Sequence, residues 1–300
     1  MNLNAILLVL ASGLLHANWN YLAKSSKDKL SFLWGAKVVS VLVVTPIFIY
    51  YLTFSPTGFR VGNLSLLITL GAVSGLVHVF YFYFLSMAYR YGDISFSYPI
   101  ARGTAPFLVA LLSFFFLAES PSLAGLIGMV LIAIGIGLLV NSNSVETEAD
   151  GSTVNDRNSI LDKKKALTFA LLTSIMISSY IFLDGKGSRV FTPIVFMYVY
   201  SVFSTLFFTT KIIKRSKMLF RELEENLKPM MATGIMEPLS YFLALKAMQL
   251  SQLGYVASLR NVSILFATLL GVIRLNEQLT PARATGSIIV FLGVVSLGFG

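Results

Sequence analysis

Apolar runs of about 20 residues recur along the whole chain, and they restrict its possible folds more than any other feature. The first begins with Ile6, Leu7, Leu8, Val9 and Leu10. A helix of that length crosses roughly 30 Å of hydrocarbon. Of the 300 residues, 56% are apolar and 12% are charged, whereas about 25% are charged in a typical soluble domain. The sequence therefore predicts a polytopic membrane protein, because too few polar residues remain to cover a soluble core.

Lipid offers the backbone no hydrogen-bond partner, so each apolar run is predicted to be a helix. Ten transmembrane helices are predicted: 3–22, 31–54, 64–88, 94–117, 121–140, 166–183, 190–210, 229–248, 253–273 and 282–300. Residues 141–165 are polar and are typical of a flexible linker. Residues 211–228 are a basic, amphipathic connection, expected at the level of the lipid headgroups.

The two halves of the chain resemble each other. Arg102 and Glu119 have the same separation in sequence as Arg260 and Glu277. The same offset superimposes two pairs of glycines, Gly128 on Gly286 and Gly135 on Gly293. Several matches in the same order indicate an internal duplication.

The duplication predicts three parts: a first five-helix repeat (1–140), the polar linker (141–165) and a second five-helix repeat (166–300). Five is an odd number, so the second repeat enters the membrane from the opposite side. The predicted fold is therefore all-α, with ten transmembrane helices arranged as two inverted five-helix repeats. In secondary transporters built in this way, the substrate site lies near the membrane midplane between the repeats.

The first predicted helix has a polar and aromatic face in the stretch LLHANWNYLAKSS. Ser12, His16, Trp19 and Asn20 fall within roughly 100° of one another on a helix. An unpaired polar group in lipid costs a few kcal/mol, so this face is predicted to point into the bundle. It either lines a cavity or forms hydrogen bonds between neighbouring helices.

The third and eighth predicted helices each place an ionisable residue and a tyrosine inward: His78 and Tyr81 on the third, Glu237 and Tyr241 on the eighth. Glu237 is a candidate for proton coupling, since desolvation favours a neutral carboxyl group. The alternative is a static ion pair of Glu237 with Arg260 or Lys246.

Arg102 and Arg260 share one repeat position and are the strongest substrate-binding candidates. Arg102 lies between Pro99 and Pro106, so this part of the fourth helix is expected to be kinked or partly unwound. Four cations fall within predicted helices, against one clear carboxylate, Glu237: they are Lys37, Arg102, Lys246 and Arg260. This excess predicts a cavity for carboxylate-bearing or phosphate-bearing solutes. Alternatively, both lysines extend to the headgroups and one arginine is paired, which leaves a neutral site.

The net charge of +9 indicates contact with anionic lipid rather than nucleic acid, because most Lys and Arg residues lie just outside the apolar runs. By the positive-inside rule their distribution places both termini outside. The absence of cysteine excludes disulfides and thiolate metal sites. No metal, cofactor or enzyme activity is predicted, since no ligand spacing or nucleophile–base pair appears. The glycines of the fifth and tenth helices suit close helix packing.

Motifs in both halves carry a resemblance to a known family. The first half contains YRYGDISFSYPIARGTAPF followed by LAESPSLAGLIGMVLIAIGIGLL, and the second contains SQLGYVASLRNVSILFATLL followed by LNEQLTPARATGSIIVFLGVVSLGFG. The chain resembles the EamA-type transporters of the drug/metabolite transporter superfamily, and HANWNYLAK resembles a subgroup with a His-Ala-x-Trp-Asn signature. Two departures are the absence of a Gly92–Asp93 counterpart in the second half and Ala257 in place of Pro99.

The resemblance implies a multi-pass transporter of the cell (inner) membrane, whose fifth and tenth helices lie at the periphery or meet a second copy in a homodimer. The chain is expected to move a small polar metabolite, anionic or zwitterionic, by alternating access, with export as one direction. The predicted substrate-binding residues are His16, Trp19, Asn20, His78, Tyr81, Arg102, Tyr241 and Arg260, with Glu237 for proton coupling. The alternatives are a flippase for a lipid-linked headgroup and a membrane partner or sensor without transport activity.

Overall fold

A computed structural model describes residues 3–54, 63–117, 122–149, 156–250 and 259–298. The described residues are almost entirely helical. The helices are α1 (Leu3–Ser25), α2 (Lys29–Phe54), α3 (Leu64–Tyr91), α4 (Ile94–Leu117), α5 (Leu123–Ala149), α6 (Asp156–Val190), α7 (Pro193–Ile212), α8 (Ser216–Leu250), α9 (Ser263–Leu275) and α10 (Pro281–Gly298), with a short 3-10 helix at Ile213–Arg215 between α7 and α8.

Six stretches of the described residues are long and apolar enough to cross a membrane. They are Leu3–Ser25, Lys29–Phe54, Leu64–Tyr91, Leu123–Asn141, Ile160–Asp184 and Pro193–Ala244. Two shorter helical stretches are also apolar, Ser263–Leu275 and Pro281–Ser296. The outward side chains are apolar too: Leu42 is 65% exposed and Phe182 is 61% exposed. Such a surface suits lipid rather than water.

The predicted spans overlap the observed helices, with two local differences. α4 continues as one helix across Pro99 and Pro106, so the expected unwinding around Arg102 is not seen. The expected flexible linker 141–165 is largely helical where it is described, because α5 extends to Ala149 and α6 begins at Asp156. Residues 251–258, which hold the start of the predicted ninth span, lie outside the described residues.

Three pairs of helices at matching positions in the two predicted repeats run antiparallel to each other: α2 with α7, α4 with α9, and α5 with α10. In α2 and α7, Trp34 Nε1 donates to Thr209 Oγ1 at 2.9 Å, while the hydroxyls of Tyr51 and Thr192 are 3.1 Å apart at the other end. α4 and α9 are joined by a 3.0 Å hydrogen bond from Tyr98 to Ser263. α1 packs mainly against α8, and α3 packs mainly against α6. The helices of the two halves are therefore interleaved and do not form two separate bundles.

Glycines allow the close antiparallel packing of α5 and α10. A Cβ atom on Gly135 would lie 2.8 Å from the carbonyl oxygen of Gly286 and 2.8 Å from the backbone nitrogen of Val290. At the far end of the same contact, Ser296 donates to the carbonyl of Ala124 at 2.8 Å. Small residues that bring backbones together are a common means of helix association in membranes.

The two ends of the bundle are held differently. At the basic end, Arg215 pairs with Asp28 at 2.8 Å and Lys27 pairs with Glu225 at 2.6 Å. These ion pairs join the turn between α1 and α2 to the connection between α7 and α8. At the opposite end, the corresponding contact between α2 and the start of α7 is the neutral hydroxyl pair of Tyr51 and Thr192.

Glu277 connects the end of α9 to the start of α4. Its two carboxylate oxygens accept hydrogen bonds from the backbone N–H groups of Ile94 (2.8 Å) and Ser95 (2.9 Å). A carboxylate at this position satisfies N–H groups that have no partner within the helix, and it complements the helix dipole. Glu277, which the sequence marks only as a repeat residue, therefore fixes α4 and the Arg102 that it carries.

The α5–α10 contact yields a stability prediction. Gly135→Ala places a methyl group against backbone atoms that cannot move independently, so we expect a loss of about 1–3 kcal/mol. A Cβ atom on Gly137 of the same helix would meet no neighbouring atom within 4 Å among the described residues, so Gly137→Ala should be neutral or slightly stabilising. Thermal unfolding of the two variants in detergent measures the difference; equal melting temperatures would contradict the packing described.

Candidate functional site

A small cavity lies inside the bundle among α1, α3, α6, α7 and α8. Its volume is about 30 Å³, which is room for about two water molecules. It is lined by His16, Trp19, His78, Tyr81, Phe82, Tyr180, Tyr200, Glu237, Tyr241 and Arg260. The structure thus brings together seven of the nine residues predicted for substrate binding and proton coupling, and it adds two tyrosines, Tyr180 and Tyr200.

His16 presents a buried hydrogen-bond donor without a partner. Trp19 Nε1 donates to His16 Nδ1 at 3.1 Å, so in the neutral ring the hydrogen is on Nε2. This Nε2 is buried and has no hydrogen-bond partner among the described residues. A buried unsatisfied donor is costly, and a bound solute or water with an acceptor atom would remove that cost.

Asn20 does not line the cavity. Its side chain donates to the carbonyl of His16 at 2.8 Å and accepts a hydrogen bond from Tyr89 at 2.6 Å. Asn20 therefore ties α1 to α3 and supports the backbone beneath His16. Both residues lie on the polar face predicted from the sequence. His16 lines the cavity on that face, whereas Asn20 contacts the neighbouring helix α3.

Arg260 enters the cavity wall from the second half. Its Nε donates to Ser12 Oγ at 3.1 Å, and its guanidinium group lies 5.9 Å from the centre of the Tyr241 ring. On the α1 side, Gly13 allows the approach, since a Cβ atom there would lie 3.3 Å from the carbonyl oxygen of Arg260.

Arg102 is buried close to Arg260 but is not part of the cavity wall. The two guanidinium groups are near enough to repel each other, and both act on His16. The Arg102 Nε has no hydrogen-bond partner among the described residues, while Tyr180 lies within hydrogen-bonding reach of its guanidinium group. Within the described part of the chain, neither arginine forms an ion pair.

Glu237 is paired with Lys37, not with Arg260 or Lys246. Lys37 Nζ lies 3.1 Å from Glu237 Oε1, and Ser40 donates to Oε2 at 3.0 Å. Lys37 is 2% exposed, so it does not extend to the headgroups, whereas Lys246 is exposed. An ammonium group and a hydroxyl group together stabilise the ionised carboxylate.

A second buried carboxylate, Asp184 near the end of α6, was missed by the sequence prediction. Ser74 Oγ donates to Asp184 Oδ1 at 2.6 Å, and Tyr241 donates to Oδ2 at 3.2 Å. His78 Nε2 lies 3.8 Å from Oδ2. The only signal in the sequence is that Asp184 directly follows a predicted span that ends at residue 183.

The cavity walls are mainly aromatic. Tyr81 lies edge-on to Tyr180, and Tyr200 lies edge-on to Tyr241. The site thus combines aromatic surface with two guanidinium groups and one free imidazole donor. In the part of the chain that the structure describes, no group of three or more His, Asp or Glu residues could hold a metal ion. The arrangement is suited to binding a small solute with acceptor atoms.

Comparison with known proteins identifies the family. The EamA-like transporter family matches residues 3–141 and 164–299, which is most of the chain in two separate segments. The chain belongs to the EamA-like transporter family. This EamA-like protein is therefore a multi-pass membrane transporter of the drug/metabolite transporter superfamily, and the resemblance seen in the sequence motifs is confirmed.

A solved structure, described only as "Crystal structure of protein", has the same fold. It aligns with a TM-score of 0.56 and 14% sequence identity, covering 99% of the EamA-like chain and 96% of the solved chain. No curated protein matches the sequence. The family match thus establishes the class of protein, and the solved structure supports the fold alone.

The Lys37–Glu237 pair yields a prediction for this EamA-like transporter. Lys37→Met leaves a carboxylate without its partner in a site of low dielectric, so we expect a loss of about 3–5 kcal/mol. The double variant Lys37→Met/Glu237→Gln removes both charges and should recover most of that loss. Lys214→Met, at an exposed position, is the control and should not change the melting temperature in detergent. A double variant no more stable than Lys37→Met would contradict the pairing.

Proposed function

We propose that this transporter is a secondary active transporter for a small anionic or zwitterionic metabolite. The observation that carries the proposal is a pair of guanidinium groups inside the bundle, the buried Arg102 and the partly buried Arg260, without an ion-pair partner among the described residues. A buried cation is costly until an anion or water compensates it. A carboxylate, phosphate or sulfonate group on the substrate would provide that compensation.

Other lining groups support the same class of substrate. His16 Nε2 is a donor aimed at the site without an acceptor among the described residues, and it lies near both arginines. Trp19, Tyr81 and Tyr241 offer aromatic surface to the remainder of a small molecule. Both buried carboxylates already have partners, Lys37 for Glu237 and His78 for Asp184. The unsatisfied groups are therefore donors, which favours an acceptor-rich ligand.

Two inverted five-helix repeats would give the protein its transport mechanism. The antiparallel pairs α2–α7, α4–α9 and α5–α10 support a two-fold relation with its axis in the membrane plane, as in transporters with inverted repeats. The cavity of about 30 Å³ is too small for a metabolite, and it is consistent with an occluded state. Opening towards one side and then the other would be alternating access. We retain the division into 1–140, 141–165 and 166–300 as part of this proposal.

A thermal-shift screen of the purified protein tests the substrate class. The probes are matched panels of carboxylates, phosphate esters, amino acids, and neutral or cationic analogues. A ligand at 100 times its dissociation constant should stabilise the fold by about 2.7 kcal/mol, and we expect such shifts only from probes with an anionic group. Arg260→Gln should abolish them. Arg274→Gln removes an exposed arginine of α9 and should leave them unchanged.

Flux in proteoliposomes then separates transport from binding alone. A probe identified in the screen should be taken up by wild-type vesicles and not by Arg260→Gln vesicles. Binding without flux would favour a sensor, and shifts given equally by cationic probes would remove the anionic assignment.

The excess of positive charge at one end of the bundle leads us to propose that this end faces the cytoplasm of a cell whose inner membrane holds the protein. The chain has no cysteine, so single cysteines can report orientation. We expect a membrane-impermeant maleimide added outside intact cells to label Leu123→Cys, at the opposite end, and not Lys214→Cys. The reverse labelling would invert the topology.

A further inference from the structure

His78 and Asp184 form a buried pair to which the proposed anion binding gives no role. The pair joins α3 of the first half to α6 of the second. Asp184 is 3% exposed and His78 is 6% exposed. Among the described residues, the pair belongs to no metal-binding cluster, and it takes no part in the arginine cluster. The hydrogen-bond geometry around the pair determines how many protons it holds.

One hydrogen position on the imidazole is fixed by its contacts. His78 Nδ1 lies 2.9 Å from the carbonyl oxygen of Ser74, an atom that can only accept. Nδ1 therefore carries a hydrogen. The Ser74 hydroxyl does not donate to Nδ1 instead, because its hydrogen is already donated to Asp184 Oδ1 at 2.6 Å.

The other ring nitrogen faces the carboxylate. Nε2 of His78 lies 3.8 Å from Oδ2 of Asp184. If neither group carried a proton there, an imidazole lone pair would face a carboxylate oxygen in a buried site, which is repulsive. One proton between them gives either an imidazolium–carboxylate pair or a neutral imidazole beside a carboxylic acid. Both forms have zero net charge, so the pair holds one exchangeable proton.

Two tyrosines enclose the His78 ring. Tyr180 and Tyr200 stack on the two faces of the His78 ring, each with ring centres 4.5 Å apart and with interplanar angles of 27° and 17°. A cation between two electron-rich aromatic faces is stabilised. The aromatic faces can therefore stabilise a proton on the ring, and the Nε2 edge lies 3.8 Å from the carboxylate.

Each helix packed against the His78–Asp184 pair contributes a titratable or charged side chain near it. The titratable or charged groups that face it are Lys37 from α2, Tyr81 from α3, Tyr180 from α6, Tyr200 from α7, and Glu237 and Tyr241 from α8. Lys37 and Glu237 largely cancel each other, since they form their own ion pair. Proton exchange at the His78–Asp184 pair therefore changes the net charge of the site by one.

We propose that His78 and Asp184 together form a proton-binding site that couples proton movement to solute movement. Loading adds a proton from cavity water to Nε2 of His78 and takes the pair from a net charge of −1 to zero; release returns the proton to water. Glu237 is less suited to this role, because its carboxylate is already paired with the Lys37 ammonium group. Coupling to transport rests on the proposed function; proton binding itself does not.

The geometry also gives the sign of the coupling. Tyr241 donates to Asp184 and lies beneath the Arg260 guanidinium group, so the proton site and the anion site share a wall. An anion bound near Arg260 favours the protonated pair, and by reciprocity the proton raises the affinity for the anion. Proton and anion should therefore bind together and move in the same direction.

Histidine NMR tests the proton site without any substrate. The chain contains two histidines, so a protein labelled with ¹⁵N-histidine and purified through a histidine-free tag gives two imidazole spin systems, assigned with His16→Asn. We expect Nδ1 of His78 to carry hydrogen throughout the titration, while the hydrogen occupancy of Nε2 changes with pH. In Asp184→Asn the pH at which Nε2 changes should move, because the facing carboxylate is gone.

A matched control lies on the same helix. Asp162, an exposed carboxylate of α6 with a side chain 51% accessible, can be changed to Asn without altering the His78 titration. The pH titration of His78 in the wild-type protein is the main measurement, so the experiment remains decisive even if Asp184→Asn does not fold. A neutral His78 with an Asp184-dependent carboxylic acid band in the infrared spectrum would also support the site, with the proton on the carboxyl group.

The proposal is overturned if wild-type His78 stays neutral from about pH 5 to about pH 9 and no carboxylic acid band depends on Asp184. That result would leave the anion site intact, since the arginine variants test it separately. Conversely, a titrating pair in a protein whose Arg260→Gln variant binds every probe would remove the anion proposal and keep the proton site.

Discussion

The cost of burying charge in an apolar protein is the constraint on which the arrangement of this site depends. A charged group inside such a bundle survives only beside an opposite charge, a hydrogen-bond partner or water. Lys37 and Glu237 satisfy this requirement as a pair from α2 and α8, and Asp184 satisfies it with Ser74, Tyr241 and His78. The two arginines have hydrogen-bonding neighbours, Ser12 for Arg260 and Tyr180 for Arg102, but no opposite charge within the described chain, and this imbalance of charge carries the proposed function.

The spans and the inward direction of the polar residues could be predicted because lipid imposes a length and a polarity pattern on every helix. The ion-pair partners of the buried charged residues could not be predicted from the sequence. Lys37 and Glu237 lie 200 residues apart in sequence, and nothing local to either residue says which of several cations the carboxylate meets. Asp184 was missed because it follows the last apolar residue of its span, where a carboxylate is ordinarily a solvated helix end. Asn20 was assigned to the cavity because helical spacing defines a face but not what covers each part of it.

The repeat explains the scaffold better than it explains the chemistry. Three pairs of equivalent helices pack antiparallel, and Arg102 and Arg260 share a repeat position in the sequence, yet only Arg260 lines the cavity. His78 and Glu237 are offset by one residue between the halves, and the repeat equivalent of Lys37 is Val195. The duplication thus supplies a framework of related helices, on which the ionisable groups have been distributed unequally. A residue's role in one half cannot be transferred to its counterpart in the other.

The contacts between the two halves differ in chemistry at the two ends of the bundle, and this difference has a consequence for the transport cycle. Among the described residues, ion pairs between Asp28 and Arg215 and between Lys27 and Glu225 join the halves at the basic end, whereas the contact described between α2 and α7 at the other end is between neutral hydroxyls. Dissolved electrolyte weakens exposed ion pairs and has little effect on a neutral hydrogen bond. Under the alternating access proposed here, ionic strength would shift the balance between inward-facing and outward-facing forms, even though the same family matches both halves of the chain.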